Sequence, residues 1–260
     1  MSLVIGVDVG GTFIKAGLVS NGKILKRIQV PSLADKGENA FVDNIISVIA
    51  KLKTKRVKAV GIAAAGAIDV KNGIVINAPN TPQKNYPLAE VLRKEHRLPV
   101  YIDNDASCAA LAEAIYGAGK NYNIVAGLTL GTGVGGGIVI NKKLFHGRNN
   151  AGEFGHITLD YNGWENPLGI RGGLEEYVGA RGVMRLASRV SAISPKHLFE
   201  LAEKGDNSAK EVWEKYGEFL GRGIANIVYA IDPEVVVVGG QISKAWKYFG
   251  EIARQKTKEF

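Results

Sequence analysis

Along this chain the spacing of apolar positions changes from two to about three and a half, and the change sorts it into strands and helices. Residues 3–8, 13–19 and 23–30 are rich in Val, Ile and Leu and predict three strands. Asn21-Gly22 joins the last two, and both residues tolerate the positive φ of a tight hairpin. The period then lengthens. Phe41, Ile45, Val48, Ile49 and Leu52 recur on one face of a helix predicted over 38–53. Val57 to Ala63 predicts a short buried strand, Asn72-Gly73 another hairpin, and Pro87 the first turn of a helix running to about 97. Pro99 to Ile102 predicts a strand ending in Asp103-Asn104-Asp105, where a helix of small residues starts with Asn104 or Asp105 as its cap.

The second half restarts the pattern. Strands over about 123–130 and 134–140 flank Gly131-Thr132-Gly133, and helices dominate from about 173 to 231. The longest of these helices presents Val212, Tyr216, Leu220, Ile224 and Ile227 on one side. Gly217, Gly221 and Gly223 interrupt it, each at roughly 1 kcal/mol against alanine, which predicts close backbone packing as compensation. Glu234 to Val238 predicts a buried strand, closed by Gly239-Gly240 and followed by a last amphipathic helix. The halves align weakly: Asp8-Val9-Gly10 falls on Thr129-Leu130-Gly131, Gly17-Leu18-Val19 on Gly137-Ile138-Val139, and Asn21 on Asn141. A boundary near 116–122 divides the chain into expected lobes of 1–116 and 117–260.

The 260 residues suffice for two domains, and 46% apolar with 22% charged residues predicts a soluble globular protein. No run approaches the roughly 18 apolar residues of a membrane span. Met1-Ser2-Leu3 leads straight into a strand without a cleavable apolar region, so the expected location is the cytosol and no membrane partner is expected. A lone cysteine, Cys108, excludes an intrachain disulfide and a multi-cysteine metal site, and is expected as a small apolar residue in a core helix. The net charge of +8 is scattered, dense only from Lys244 to Lys258. It fits a solvated surface and a phosphate pocket better than a nucleic-acid face.

Two strand-turn-strand units carry the candidate chemistry. Ile5 to Lys15 delivers Asp8 into Gly10-Gly11-Thr12 and leaves with Lys15; Ile124 to Val139 repeats the design around Gly131-Thr132-Gly133. Glycine lets backbone N–H groups approach a phosphate, so the pair suggests two facing phosphate clamps. Asp8 cannot itself welcome a phosphate and makes sense facing Mg²⁺ through water, while Thr12 and Lys15 can donate to phosphate oxygens. Gly131-x-Gly133-x-x-Gly136 formally matches a dinucleotide fingerprint, but a strand follows where that fingerprint needs a helix. Asp105 is the candidate general base for a hydroxyl attacking a γ-phosphate, with Asn104 beside it for a substrate hydroxyl. Glu153, His156 and Glu175 form a second polar group offering acceptors and a donor. His156 has no second ligand at metal spacing, and His96, His146 and His197 are expected at the surface or its boundary.

At these residues the chain resembles the ROK family (repressors, open reading frames and sugar kinases), within the actin-like sugar kinase and Hsp70 ATPase fold. The motifs run in order: Asp8-Val-Gly-Gly-Thr12 with Lys15, Asn77-Ala-Pro-Asn80, Asp103-Asn104-Asp105-Ala106, Leu130 to Gly135, Gly152-Glu153-Phe-Gly-His156, Leu174-Glu175 and Val238-Gly239-Gly240. The resemblance implies an α/β fold of two RNase-H-like lobes around a cleft, and Mg²⁺- and ATP-dependent phosphorylation of a hexose at its 6-hydroxyl. It implies Asp105 as catalytic base, and Asn80, Asn104, Glu153, His156 and Glu175 on the sugar. It also implies Gly10, Gly11, Thr12, Lys15, Thr132 and Gly133 on phosphates, Gly239 and Gly240 facing the nucleoside, and a homodimer.

Many members also bind zinc through the histidine matching His156 and three cysteines. Asn166, Leu168 and Gly173 stand at those cysteine positions, so no zinc is expected. Family members usually continue past the Gly-Gly pair further than Phe260. A repressor would need a DNA-reading segment before Asp8, where only seven residues stand, so no nucleic-acid partner is expected. Glucose is the first-choice substrate. An N-acetylhexosamine (N-acetylglucosamine or N-acetylmannosamine) or fructose is the alternative, polyphosphate remains open as donor, and a sugar sensor without turnover is the rival class.

Overall fold

Two sheets wired on the same plan organise the chain. The computed structural model describes residues 3–167 and 169–260. The first sheet takes β1 (Leu3–Val9), β2 (Phe13–Ser20) and β3 (Lys23–Pro31), then, beyond α1 (Glu38–Leu52), β4 (Val57–Ala64). A small antiparallel sheet follows, made of β5 (Ala67–Asp69), β6 (Ile74–Asn77) and β7 (Lys84–Tyr86). Then α2 (Leu88–His96) leads to β8 (Val100–Asn104), and α3 (Asp105–Tyr116) leaves it. The strand order is β3-β2-β1-β4-β8, with β1, β4 and β8 parallel. Register places Asp8 beside Ala63 and Ala63 beside Asp103, so the acids share one end of the sheet.

The second sheet takes β9 (Ile124–Leu130), β10 (Val134–Ile140) and β11 (Lys143–Leu144). After α4 (Glu175–Val178), α5 (Ala180–Leu186), α6 (Pro195–Glu203) and α7 (Asn207–Ile231) comes β12 (Val235–Gly239), and α8 (Trp246–Glu259) closes the chain. The order β11-β10-β9-β12, with β12 parallel to β9, repeats β3-β2-β1-β4. The two-residue turns correspond as well: Asn21-Gly22 has φ of 48° and 74°, and Asn141-Lys142 has φ of 50° and 62°. These are the paired positive φ values of a type I′ hairpin. One compact unit comprises the residues up to Cys108 with Gly147–Asn150, and the other Ala109–His146 with Ala151–Phe260.

Each unit has its own core. In the first, Ile5, Val7 and Ile14 of the sheet are covered by Phe41, Ile45 and Ile49, the periodic face of α1. In the second, Trp213 and Tyr216 of α7 meet Phe249 of α8, with Tyr216 and Phe249 ring centres 4.8 Å apart. The glycines of α7 make that approach possible. A β-carbon at Gly217 would lie 2.7 Å from the Phe249 carbonyl oxygen, and one at Gly221 2.6 Å from that of Ala253. Close packing therefore offsets the helix cost, as the sequence predicts.

Two expectations are corrected. β12 is half-buried rather than buried, because among the described residues it pairs only with β9 and forms one edge of its sheet. His96 is buried, not peripheral: it stands at i+8 from Leu88 and i+4 from Leu92 and extends their face of α2. Cys108 lies half-buried on α3. Among the described residues no helix is long and apolar enough to cross a membrane.

Candidate active site

The first unit gathers its polar groups at the C-terminal ends of β1, β4 and β8, where parallel sheets present ligand-binding loops. Asp8 and Lys15 are register partners on β1 and β2, and the Lys15 Nζ donates to Asp8 Oδ2 at 3.1 Å. Between them the chain reverses through Gly10, whose N–H donates to the Phe13 carbonyl at 3.1 Å. Two contacts hold this turn. The Ser32 hydroxyl donates to the Gly11 carbonyl, and the Ser32 N–H donates to that of Thr12 at 2.9 Å. Asn80 lies directly against the turn: a β-carbon at Gly11 would run into its backbone carbonyl. The Asn80 loop can therefore lie there only because residue 11 is glycine.

Asn104 is the cap of α3. Its Oδ1 accepts from the N–H groups of Ala106 (2.9 Å) and Ser107 (3.1 Å), and its Nδ2 donates to the Gly66 carbonyl at 3.1 Å. Among the described residues one amide N–H remains uncommitted there. Asp105 opens α3 with its surface accessible, and its Oδ1 accepts from the Ala106 N–H at 2.8 Å. Protein packed around this carboxyl raises its pKa above the ordinary value, the Ala106 N–H opposes the rise, and the charge of Asp8 adds to it. Burial and the nearby Asp103, Asp105 and Asp8 push the Cys108 thiol up to about 12, so it stays protonated and inert.

The second unit builds its site around Gly131-Thr132-Gly133. The Gly131 N–H donates to the Gly133 carbonyl at 3.0 Å, closing the turn between β9 and β10. Gly239 is paired with Thr129, and Gly240, at φ 94°, lies against the Leu130 backbone. The expected nucleoside glycines thus stand at the phosphate-turn end of this sheet. Glu153 precedes a short 3-10 turn, Phe154–His156, and both Glu153 and His156 are exposed. The Thr158–Gly173 bridge and the Leu174 N–H to Ile157 carbonyl bond (2.8 Å) bring this segment beside Glu175. Glu175 is half-buried, and its Oε2 accepts from the Val134 N–H at 2.8 Å.

The excursion 158–173 is closed by ordinary contacts. Asn166 Oδ1 accepts from the Ile170 N–H at 2.9 Å, and Arg171 pairs with Glu165 at 2.7 Å. Leu168 lies outside the described residues. Trp164 anchors the excursion by packing on Tyr177, ring centres 4.9 Å apart, under the guanidinium of Arg185 at 5.1 Å. Arg185 in turn pairs at 2.5 Å with Glu176, a carboxylate only 2% exposed. Sequence reasoning passed over Ser32, Glu176 and Arg185. Glu176 carried one signal, a second acid beside the candidate Glu175; Ser32 carried none.

With this geometry in view, the comparisons decide the family. The ROK family profile matches residues 4–260. The protein belongs to the ROK family. Among its ROK relatives is a glucokinase of Thermotoga maritima, 35% identical, the match covering 99% of this chain and 87% of that protein. The xylose repressor of Caldicellulosiruptor bescii is 29% identical over 98% of this chain and 69% of the repressor. A ROK family glucokinase from Streptomyces griseus, solved in complex with glucose and AMPPNP, superposes with a TM-score of 0.84 at 34% identity. That superposition covers 99% of this chain and 89% of the other. The chain therefore has the two-lobed, actin-like α/β fold of ROK sugar kinases.

Among the described residues no three His, Cys, Asp or Glu side chains group as a metal cage. At the acidic end of the first sheet the Asp8 carboxylate is open to solvent, its side chain 51% exposed. Such a donor suits Mg²⁺, which takes one or two carboxylates together with phosphate oxygens and water.

Proposed function

We propose that this protein is an ATP-dependent hexose kinase that transfers the γ-phosphoryl group to a 6-hydroxyl, with glucose as its first substrate. The observation that carries the reading is Asp105: an exposed residue at the start of α3 whose carboxyl is raised in pKa, beside Asp8 and next to the capping Asn104. Family membership and the glucokinase relatives support the substrate class.

In the first unit, Asp105 accepts the hydroxyl proton as the sugar oxygen bonds to the γ-phosphorus and the bond to the β-phosphate oxygen breaks, releasing ADP. Asn80 and the remaining amide N–H of Asn104 hold sugar hydroxyls. Gly10, Gly11, Thr12 and Lys15 supply donors to phosphate oxygens. Asp8 would hold Mg²⁺ through water, an ion that neutralises charge on the phosphates when bound. In the second unit, Gly131, Thr132 and Gly133 cradle phosphate, Gly239 and Gly240 face the nucleoside, and Glu153, His156 and Glu175 hold sugar hydroxyls. Most of the rate enhancement is positioning and charge stabilisation.

The relation to a xylose repressor identifies the competing reading, sugar binding without turnover. A coupled ADP-release assay with Mg·ATP over a panel of hexoses and N-acetylhexosamines separates the two. Turnover on the order of 1–100 per second with glucose is expected. Sugar binding with no ADP release would overturn the kinase reading, and a better N-acetylated or keto substrate would correct the sugar. A homodimer is expected by mass measurement in solution.

A further inference from the structure

Glu175, a predicted sugar residue, also touches a predicted phosphate turn through its carboxylate. Its Oε2 accepts the Val134 N–H at 2.8 Å, immediately after Gly131-Thr132-Gly133. The fit is tight, since a β-carbon at Gly133 would collide with that same oxygen. The turn is mounted on the segment that Glu175 begins: the Ala180 N–H donates to the carbonyls of Gly131 (3.0 Å) and Thr132 (3.2 Å). Glu175 Oε1, by contrast, has no protein partner among the described residues.

The two oxygens therefore have separate roles available. We propose that Glu175 is a two-ended positioning residue within the second unit. Oε2 steadies the phosphate turn through the Val134 N–H, Oε1 takes a sugar hydroxyl, and sugar and nucleotide thereby strengthen each other's binding. The proposal rests on the kinase reading and deepens it. A sugar hydroxyl on Oε1 fixes the side chain in the rotamer that braces the turn, so part of the ordering cost is met before the nucleotide arrives. Such coupling is reciprocal by linkage and ranges over about 5–150-fold in affinity. Oε2 contributes a charge-assisted hydrogen bond, which is worth more than a neutral one and sensitive to side-chain length.

The test is titration of Mg·AMPPNP with and without the most active hexose of the panel, in wild type, Glu175→Asp and Glu175→Gln. Wild type should bind the nucleotide at least about 5-fold more tightly with sugar present. Glu175→Asp keeps the charge but is one methylene short of spanning both contacts, so this ratio should fall to near one while each ligand alone still binds. Glu175→Gln keeps an acceptor and a donor end and should retain more of the ratio than Glu175→Asp. A residue that only supported the fold would weaken each ligand and leave the ratio intact. Amide exchange on wild type gives a second readout: sugar alone should slow exchange at Val134 severalfold. A wild-type ratio in Glu175→Asp, no ratio in a wild type that binds both ligands, or unchanged Val134 exchange would overturn the coupling while the kinase reading stands. A wild type that binds neither ligand would sink both.

Discussion

The Lys15 ammonium and the Asp8 carboxylate meet across β1 and β2 as register partners, 3.1 Å apart. Both side chains are more than half exposed, at 59% and 51%, so the pair contributes only about 0–1 kcal/mol to stability. Lys15 can therefore turn to a phosphate at little cost. Lys15→Met should raise the nucleotide KM at least about 10-fold, one such contact being charge-assisted, and shift unfolding free energy by less than about 1 kcal/mol. Steady-state kinetics with denaturant melts check both halves; a large stability loss with unchanged KM would assign Lys15 to the fold instead.

Removal of the candidate base should be severe and selective. Asp105→Ala should lower kcat by about 10²–10⁴-fold and leave sugar binding within a few-fold of wild type. Turnover near wild type would refute the assignment.

The raised Asp105 pKa sets the direction of the acid limb. A base must be deprotonated, so kcat/KM should fall as pH drops through a pKa lying above the ordinary value of 3.8. Asp8→Asn removes one cause of the rise and should move the Asp105 titration to lower pH, read by carboxyl carbon chemical shifts in the ligand-free protein. A titration unmoved by that change would show that the Asp8 charge does not reach Asp105.

His96 makes stability pH-dependent. Burial first, and the Lys53 charge second, lower its pKa from 6.5, so the native state holds it neutral. The unfolded chain then binds more protons, and stability is full above about pH 6.5 and is lost as pH falls from there toward the native pKa. His96→Gln should flatten the decline of Tm between pH 7 and 5. An unchanged decline would place its origin elsewhere.

Lys142 carries a structural load out of proportion to one surface lysine. Its ammonium shares its three N–H donors among four carbonyls, those of Tyr122 (2.7 Å), Lys120 (2.8 Å), Ala114 (2.9 Å) and, farthest, Gly119 (3.3 Å). From the other side, the Glu234 carboxylate accepts the N–H groups of Asn123 and Ile124. The segment between α3 and β9 is thus gripped by one cation and one anion. Lys142→Met should cost about 1.5–3 kcal/mol, the range for hydrogen bonds to a charged group. Urea unfolding checks it, and a loss under about 0.5 kcal/mol, the level of an ordinary surface change, would contradict it.

Local structure was legible wherever period and turn chemistry agreed. The run Phe41 to Leu52 reads as one helix face, and all five of its periodic residues are buried. Asn21-Gly22 reads as a hairpin and is one, and its alignment with Asn141 holds as a matching turn. What escaped were relationships between distant segments. Nothing local in Glu175 indicates that it bonds Val134, 41 residues away. His96 misled because its polarity outweighed its i+4 spacing from Leu92, although spacing decides which face a helix buries. β12 looks buried from composition, yet its neighbour count is a matter of sheet order.

The contact of Asn80 with Gly11 bears on any attempt to redesign sugar preference. Exchanging the 77–83 loop for that of a relative, the obvious graft, would not be a change to the acceptor side alone. The incoming backbone must fit against a turn with no room for a side chain, or it will push that turn out of place. A library at this loop should therefore be built with residues 10–12 varied alongside it, and winners screened for donor KM as well as for the new sugar.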